Sequence, residues 1–391
     1  MTFTFDVIQT AGIAGLVFFL GTYIKNRVNF FKKFFIPAPV IGGILCSFLI
    51  FFIGFAGVKV NFDKSLQNFF MDIFFTCIGF TCSFSVLKKS GKRGAILAVV
   101  AVVFLIIQDL VGAGLAGLFG LNKLLGVAMG SISMSGGVGS AASFGPSLEQ
   151  LGAQDATTIG VAAATFGLLL GSLIGGPVAK KLISKYNLKS SGEEGNKAEE
   201  KVTHELNINQ ILFTTILILV AAFLGTYIHK LLLLTTLNFP YYVGNLFGGL
   251  VVRNIYDNSK YHLRTEEVKL VSTISLDLFL SMALMTLNIS ALVSLAVPMI
   301  VILVTQAIVM IIYAYFVTFR TMGKDYDAAV MAAGHCGVGL GQTPNAIANM
   351  SSVIEENGPA PEAWFTLPVV TVIFINIFNP IIITFFMTLF S

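Results

Sequence analysis

Two short stretches hold the residue types that could bind a small charged ligand. The first is SMSGGVGSAASFG, residues 133–145, and the second is GHCGVGLGQTPNAIANM, residues 334–350. Both lie among strongly apolar residues. Gly and Pro suit a lipid-facing helix poorly, because each weakens the helical hydrogen-bond ladder. They suit a place where backbone must come close to a ligand. In the second stretch Thr343 reads as a helix N-cap and Pro344 as the first helical residue, with the helix running to about Glu356 and stopping at Gly358. The free N–H groups and partial positive charge of such an N-terminus hold an anion without Lys or Arg. In the first stretch Gly136, Gly137 and Gly139 allow close backbone approach, while Ser135 and Ser140 are hydroxyl donors. The candidate ligand-binding set is therefore Ser135, Gly136, Gly137, Gly139 and Ser140 on one side. On the other it is His335, Cys336, Gly337, Gly339, Gln342, Thr343 and Asn345. Small residues also serve tight helix packing in membranes, but packing alone does not explain a Thr-Pro helix start.

Charges inside apolar runs are the second clue. Asp109 stands in LIIQDLVGAG and Asp277 in SISLDLFLSMALM, with no Lys or Arg deep in either run. Buried charges at membrane depth are expensive and mark function. Oxygen ligands suit a hard cation such as Na⁺, so Asp109, Asp277 and Asn349 are candidates for Na⁺ or for a substrate ammonium; a proton or structural role stays open. Asp72 reads as interfacial. His335 invites an enzymatic reading, but no nucleophile, base and orienting group accompany it, and no catalytic residues are assigned. Cys46, Cys77, Cys82 and Cys336 show no metal-ligand spacing and read as reduced, small hydrophobes. The glycines around Cys336 are expected to leave its thiol little covered.

These residues need a membrane-spanning scaffold. Of 391 residues only 11% are charged, and the mean hydropathy is +0.85, where a soluble globule carries about 25% charged residues. Apolar runs of roughly 20 residues separate the charges, the length of a spanning helix. The net charge of +4 comes from Lys and Arg in short loops and does not describe a nucleic-acid surface. The first run follows no basic n-region and reads as a retained span. Spans are expected at 7–24, 37–57, 67–87, 94–119, 157–179, 208–229, 239–252, 270–290, 291–318 and 365–389. Segments 122–145 and 326–350 are apolar but too rich in glycine for clean spans. With ten spans and both termini outside, 20 of the 24 Lys and Arg face the cytoplasm, as the positive-inside rule asks. That bias survives only if 122–145 and 326–350 each leave on the side they came from, as re-entrant hairpins.

The halves also resemble each other. Gly42-Gly43 matches Gly248-Gly249, Asp72 matches Asp277, Gln108 matches Gln306, the GVG of 137–139 recurs at 337–339, and Pro177 matches Pro380. Five spans per half invert the second relative to the first, the signature of secondary transporters. The expected fold is an all-α polytopic membrane protein with two inverted five-helix repeats. Its parts are 1–180, a cytoplasmic linker at 181–207, and 208–391.

The two hairpin stretches, with MGKDYDAAVMAAGHC, LFLSMALMTL and ATFGLLLGSLIGGPVA, resemble the bacterial sodium/glutamate symporter family over essentially the whole chain. The resemblance implies a homodimer in the bacterial cytoplasmic (inner) membrane, an elevator-like transport unit on a dimerising scaffold, and uptake of L-glutamate coupled to Na⁺. The chain departs from the family pattern at Val138-Gly139-Ser140, where His-Gly-Thr is usual. It also departs at Gln342 and Asn345 (Ala and Thr) and at Asp109 and Asp277 (Asn and Ser). Two alternatives remain at this stage: a sodium- or proton-coupled symporter of another small carboxylate, or, from another class, an ion channel or an intramembrane enzyme.

Overall fold

The computed structural model describes residues 2–88, 90–190, 208–237, 239–259 and 265–391. Most of the expected linker (191–207), and Lys89, Lys260 and Arg264 of the charge pattern, lie outside the described residues. The chain is helical almost throughout. The principal helices are α1 (Val7–Arg27), α2 (Ala38–Gly54), α3 (Ser65–Thr81), α4 (Gly91–Leu118), α5 (Lys123–Val127), α6 (Gly137–Gln150) and α7 (Ala156–Tyr186). They are followed by α8 (Ile208–Leu232), α9 (Tyr241–Asp257), α10 (Thr265–Leu284), α11 (Ala296–Tyr313), α12 (Tyr326–Leu340), α13 (Thr343–Asn357) and α14 (Pro361–Phe390).

Local chemistry marks the ends. Asp6 and Gln9 form a capping box at α1, Asn122 accepts from the Leu124 amide to start α5, and Asp325 caps α12 through Ala328. Among the described residues, seven helical segments are long and apolar enough to cross a membrane: α1, α3 with its continuation to Lys88, α4, α7, α8, α11 with its continuation to Thr321, and α14. The chain is thus a polytopic helical membrane protein. Three expected spans fall short of that measure for visible reasons. Helices α2 and α9 have only 17 residues each, and α10 carries Glu266, Glu267, Lys269 and Asp277.

One feature was not foreseen. Thr2–Phe5 and Lys59–Phe62 pair as a two-stranded parallel sheet, with Phe5 stacked on Phe62. Each strand is four residues in which larger apolar and polar groups alternate, a period the helical pattern around them hides. Helix α7 also runs on to Tyr186, so the first residues of the expected linker, Lys181 and Lys185 among them, are helical.

The helices pack in two groups. Helices α1, α2, α3, α8, α9 and α10 contact one another extensively. So do α4 through α7 with α11 through α14, and contacts between the groups are sparse. Glycines set the closest crossings in the first group. A Cβ on Gly42 would strike the Val17 carbonyl of α1, and one on Gly43 would strike Leu284 of α10. In the matching positions, a Cβ on Gly248 would strike the Ala221 carbonyl of α8, and one on Gly249 the Thr76 carbonyl of α3. Each Gly-Gly pair therefore sits between two helices and lets both approach.

Because the α3–α9 crossing leaves no room for a side chain, Gly249→Val should force the helices apart. Overpacking of this kind costs about 1–3 kcal/mol. The measurement is thermal unfolding of the detergent-purified protein followed by size exclusion, and an unchanged midpoint would show that the crossing is looser than described.

Candidate functional site

The second group contains two interrupted helical pairs. In the first, α5 continues through a π turn, Ala128–Ile132, in which Gly130 leaves helical geometry at φ −92° and ψ −130°. The chain turns at Ser135 and Gly136 and restarts as α6 at Gly137, whose φ of +71° only glycine adopts without strain. In the second, α12 ends at Leu340 and α13 restarts at Thr343, with Pro344 in the first helical turn. The cap is Gln342, in extended geometry and without a side-chain cap bond, so Thr343 stands one residue inside the position expected for it. Helix α13 ends at Asn357, with Gly358 at φ +98°. Both breaks lie where the sequence places them.

The two breaks meet. The Gln342 side chain lies on Gly137 and occupies the space a Cβ there would need. Ser135 Oγ donates to Gln108 Oε1 at 2.6 Å and lies 3.3 Å from the Gly339 carbonyl. Gln108 Nε2 donates to that same carbonyl at 2.7 Å, and Gln306 Nε2 donates to the Gln108 carbonyl at 2.7 Å. Gln108 thus ties the end of α12 to the turn before α6, and Gln306 ties α11 to α4. Every member is buried. Pairing matters there, because an unpaired polar group away from water costs about 1–3 kcal/mol; within the set, Gln306 Oε1 is buried without a partner. Neither glutamine was among the residues expected to build the site. The available signal was their polarity in the middle of apolar runs and their matching positions in the two halves.

The other expected residues divide into those at the junction and those beside it. Gly136, Ser140, Gln342 and Thr343 are half-buried at the tips. Phe74 of α3 and Leu276 of α10 come up to Gly139, so the first helix group forms a wall opposite. Gly337 packs on the Ala346 backbone, where a Cβ would not fit. Asn345 is buried and its Nδ2 donates to the Leu168 carbonyl and to Ser172 Oγ, both at 2.7 Å. Asn349 Nδ2 donates to the Gly171 carbonyl at 2.8 Å. Those two amides fasten α13 along α7. His335 lies away from the junction: Nδ1 is 2.8 Å from Thr318 Oγ1, and Phe104 and Tyr313 pack edge-on against its ring.

Cys336 corrects an expectation. Its exposure is 0%. The neighbouring glycines do not bare the thiol; they let Ala346, Met310 and Phe104 close in.

The candidate cation residues do not form one cluster. Asp109 is wholly buried, accepting from the Ser131 amide at 2.7 Å and from Ser131 Oγ at 2.9 Å. It presses on Gly130, where a Cβ would collide with the carboxylate. Asn379 of α14 donates to the Ser131 carbonyl at 3.2 Å, and its own Oδ1 is buried without a partner. Asp277 is half-buried on α10, in the other helix group. Among the described residues no three His, Cys, Asp or Glu side chains gather as a metal cluster.

Residues 3–359 match the profile of the sodium/glutamate symporter family. The chain belongs to that family. It is 40% identical over 396 residues to the sodium/glutamate symporter of Escherichia coli strain K12, covering 99% of this chain and 98% of that protein. The sodium/glutamate symporter of Haemophilus influenzae is 36% identical over 389 residues, covering 97% and 96%. These family members are named as transporters and not as enzymes, which places this chain among transport proteins and removes the intramembrane-enzyme alternative.

Gln108 gives the junction a direct test. Gln108→Leu keeps the bulk but removes the bonds to the Gly339 carbonyl and Ser135, leaving those two only their 3.3 Å contact, so the tips should loosen by about 1–3 kcal/mol. With Cys46, Cys77 and Cys82 replaced by alanine, the buried Cys336 should react slowly with a thiol reagent, and Gln108→Leu should speed it about tenfold. Equal rates in the two proteins would show that the glutamine is dispensable to the junction.

Proposed function

We propose that this chain is a secondary transporter that carries L-glutamate into the cell together with Na⁺. The observation that carries the reading is the junction of two interrupted helices at one place in an apolar interior. A helix N-terminus and glycine backbone face the junction, and neither stretch contains Lys or Arg. Donors of that kind bind carboxylate without a full counter-charge, which favours a monoanionic amino acid over a di- or tricarboxylate. Ser140, Gln342 and Thr343, half-buried at the tips, are the side chains best placed to meet it. The names of the Escherichia coli and Haemophilus influenzae relatives support the same substrate and ion.

The finer architecture belongs to the proposal as well. It has ten spans in two inverted repeats, 1–180 and 208–391, joined by the linker 181–207, with re-entrant hairpins at 122–145 and 326–350. Both termini lie outside, and the protein works as a homodimer. The sparse contacts between the two helix groups support an elevator-type movement, in which α4 through α7 with α11 through α14 shift against α1 to α3 and α8 to α10. For Na⁺, Asp109 is favoured over Asp277 and Asn349. Its carboxylate and the partnerless Asn379 Oδ1 bracket Ser131 beside a broken helix, whereas Asp277 lies in the other helix group and the Asn349 amide is engaged with α7.

Purified protein in liposomes should take up labelled glutamate only with an inward Na⁺ gradient. Since glutamate carries one net negative charge, two or more Na⁺ per cycle make transport electrogenic. An inside-negative potential then adds about 2.3 kcal/mol per net charge per 100 mV. Asp109→Asn should weaken apparent Na⁺ affinity by about tenfold or more, and Asp277→Asn should change it by less. Uptake indifferent to Na⁺ and potential would end the symport reading. Ion flux without saturable glutamate exchange would make the protein a channel, and a normal Na⁺ dependence in Asp109→Asn would move the ion elsewhere.

A further inference from the structure

The outer face of α7 carries a feature that the transport reading does not use. Between α7 and α11 lies a groove of about 490 Å³, lined on its apolar side by Leu173, Ile174, Pro177, Val178, Ile311 and Ile312. Leu173 and Ile312 are each 52% exposed. In a membrane protein such a face meets acyl chains. At one end the groove becomes basic. Lys181 and Lys185 both reach Tyr315, their ammonium groups 6.0 and 5.5 Å from the ring centroid, and Arg320 lies 5.4 Å from the centroid of Phe316.

Charge and length together identify the occupant. Two ammonium groups over one ring repel each other, and among the described residues neither they nor Arg320 has a carboxylate at ion-pair distance. An anion seated between them relieves that repulsion. The helix between Leu173 and Lys185 rises about 18 Å, close to the roughly 15 Å of hydrocarbon in one leaflet. The basic end therefore sits at headgroup level and the apolar end at acyl depth. A free phosphate would use only the first, and an apolar molecule only the second.

We infer that this groove is a binding site for one anionic phospholipid, its phosphate on Lys181 and Lys185 and an acyl chain along α7 and α11. The opposite face of α7 holds the second interrupted pair, through Asn345 on Leu168 and Asn349 on Gly171, so a lipid here braces the helix on which that pair rests.

The test is native mass spectrometry of the full chain, purified in mild detergent with equal amounts of phosphatidylglycerol and phosphatidylcholine. The wild-type protein should keep phosphatidylglycerol at least about fivefold better. K181Q/K185Q should abolish that preference, K181R/K185R should retain it, and Ile312→Trp, which fills the apolar end, should lower it. If K181Q/K185Q does not fold, Ile312→Trp against K181R/K185R decides the matter. Equal retention of the two lipids by the wild type, or a preference untouched by both K181Q/K185Q and Ile312→Trp, would overturn the site. So would displacement of the lipid by millimolar inorganic phosphate. A change in oligomer mass on K181Q/K185Q with lipid retention unaltered would assign the face to a second copy of the chain instead.

Discussion

Backbone that stops being helical inside an apolar interior must find other partners, and the arrangement of this protein follows from where it finds them. The Gly339 carbonyl, at the end of a broken helix, is taken up by the side-chain amide of Gln108. The same glutamine accepts from Ser135 at the other break, and its own carbonyl is held by Gln306. In an apolar interior water cannot take over these groups, so the bonds supply partners that the broken helical ladders lost. Glycine at the breaks follows from the same need. The tips must lie close enough for one side chain to span them, and a Cβ on Gly137 would meet Gln342.

Beyond the junction, amides fix what can move with what. Asn345 and Asn349 fasten α13 to α7, and Arg93 joins the start of α4 to Asp325 and Glu362, at 2.5 and 2.8 Å, ahead of α12 and near the start of α14. The second interrupted pair is therefore part of a larger bonded body and not a flap hinged at its tip. The link from that body to the first helix group is thinner. It includes Asn288 on Thr158 and Asp155, at 3.0 and 2.9 Å, and apolar contacts such as Leu276 on Gly139.

Much of this was legible in the residues. The helical breaks were announced by Gly136-Gly137 and by Gly341 ahead of Thr343-Pro344, since those residues have few other uses in an apolar run. Matching Gly-Gly pairs pointed to helix crossings, and both pairs lie at crossings. What stayed hidden depended on direction and distance. Gln108 and Asp109 are neighbours in sequence, yet one serves the junction and the other serves Ser131, because adjacent helical residues point about 100° apart. Cys336 looked open because its neighbours are small, but small neighbours are also what closes a gap. Thr343 has the side chain of a cap, yet Gln342 holds the capping geometry while its side chain is used on Gly137. Asp277 matched Asp72 in sequence, and nothing in that match announced that Asp109 and Asp277 lie in different helix groups.

The contact of Gln342 with Gly137 implies two clocks at one place. Gln342 is half-buried and makes no cap bond, so leaving Gly137 needs only a change of rotamer, a motion that takes picoseconds to nanoseconds in fully exposed side chains. Parting Gln108 from Gly339 requires helices to shift, on the scale of microseconds to milliseconds. The glycine surface can thus be uncovered many thousands of times for each rearrangement of the helices behind it. On the proposed reading, a ligand arriving at the tips meets a latch already at equilibrium, and the slower bonds beneath set the rate at which it crosses.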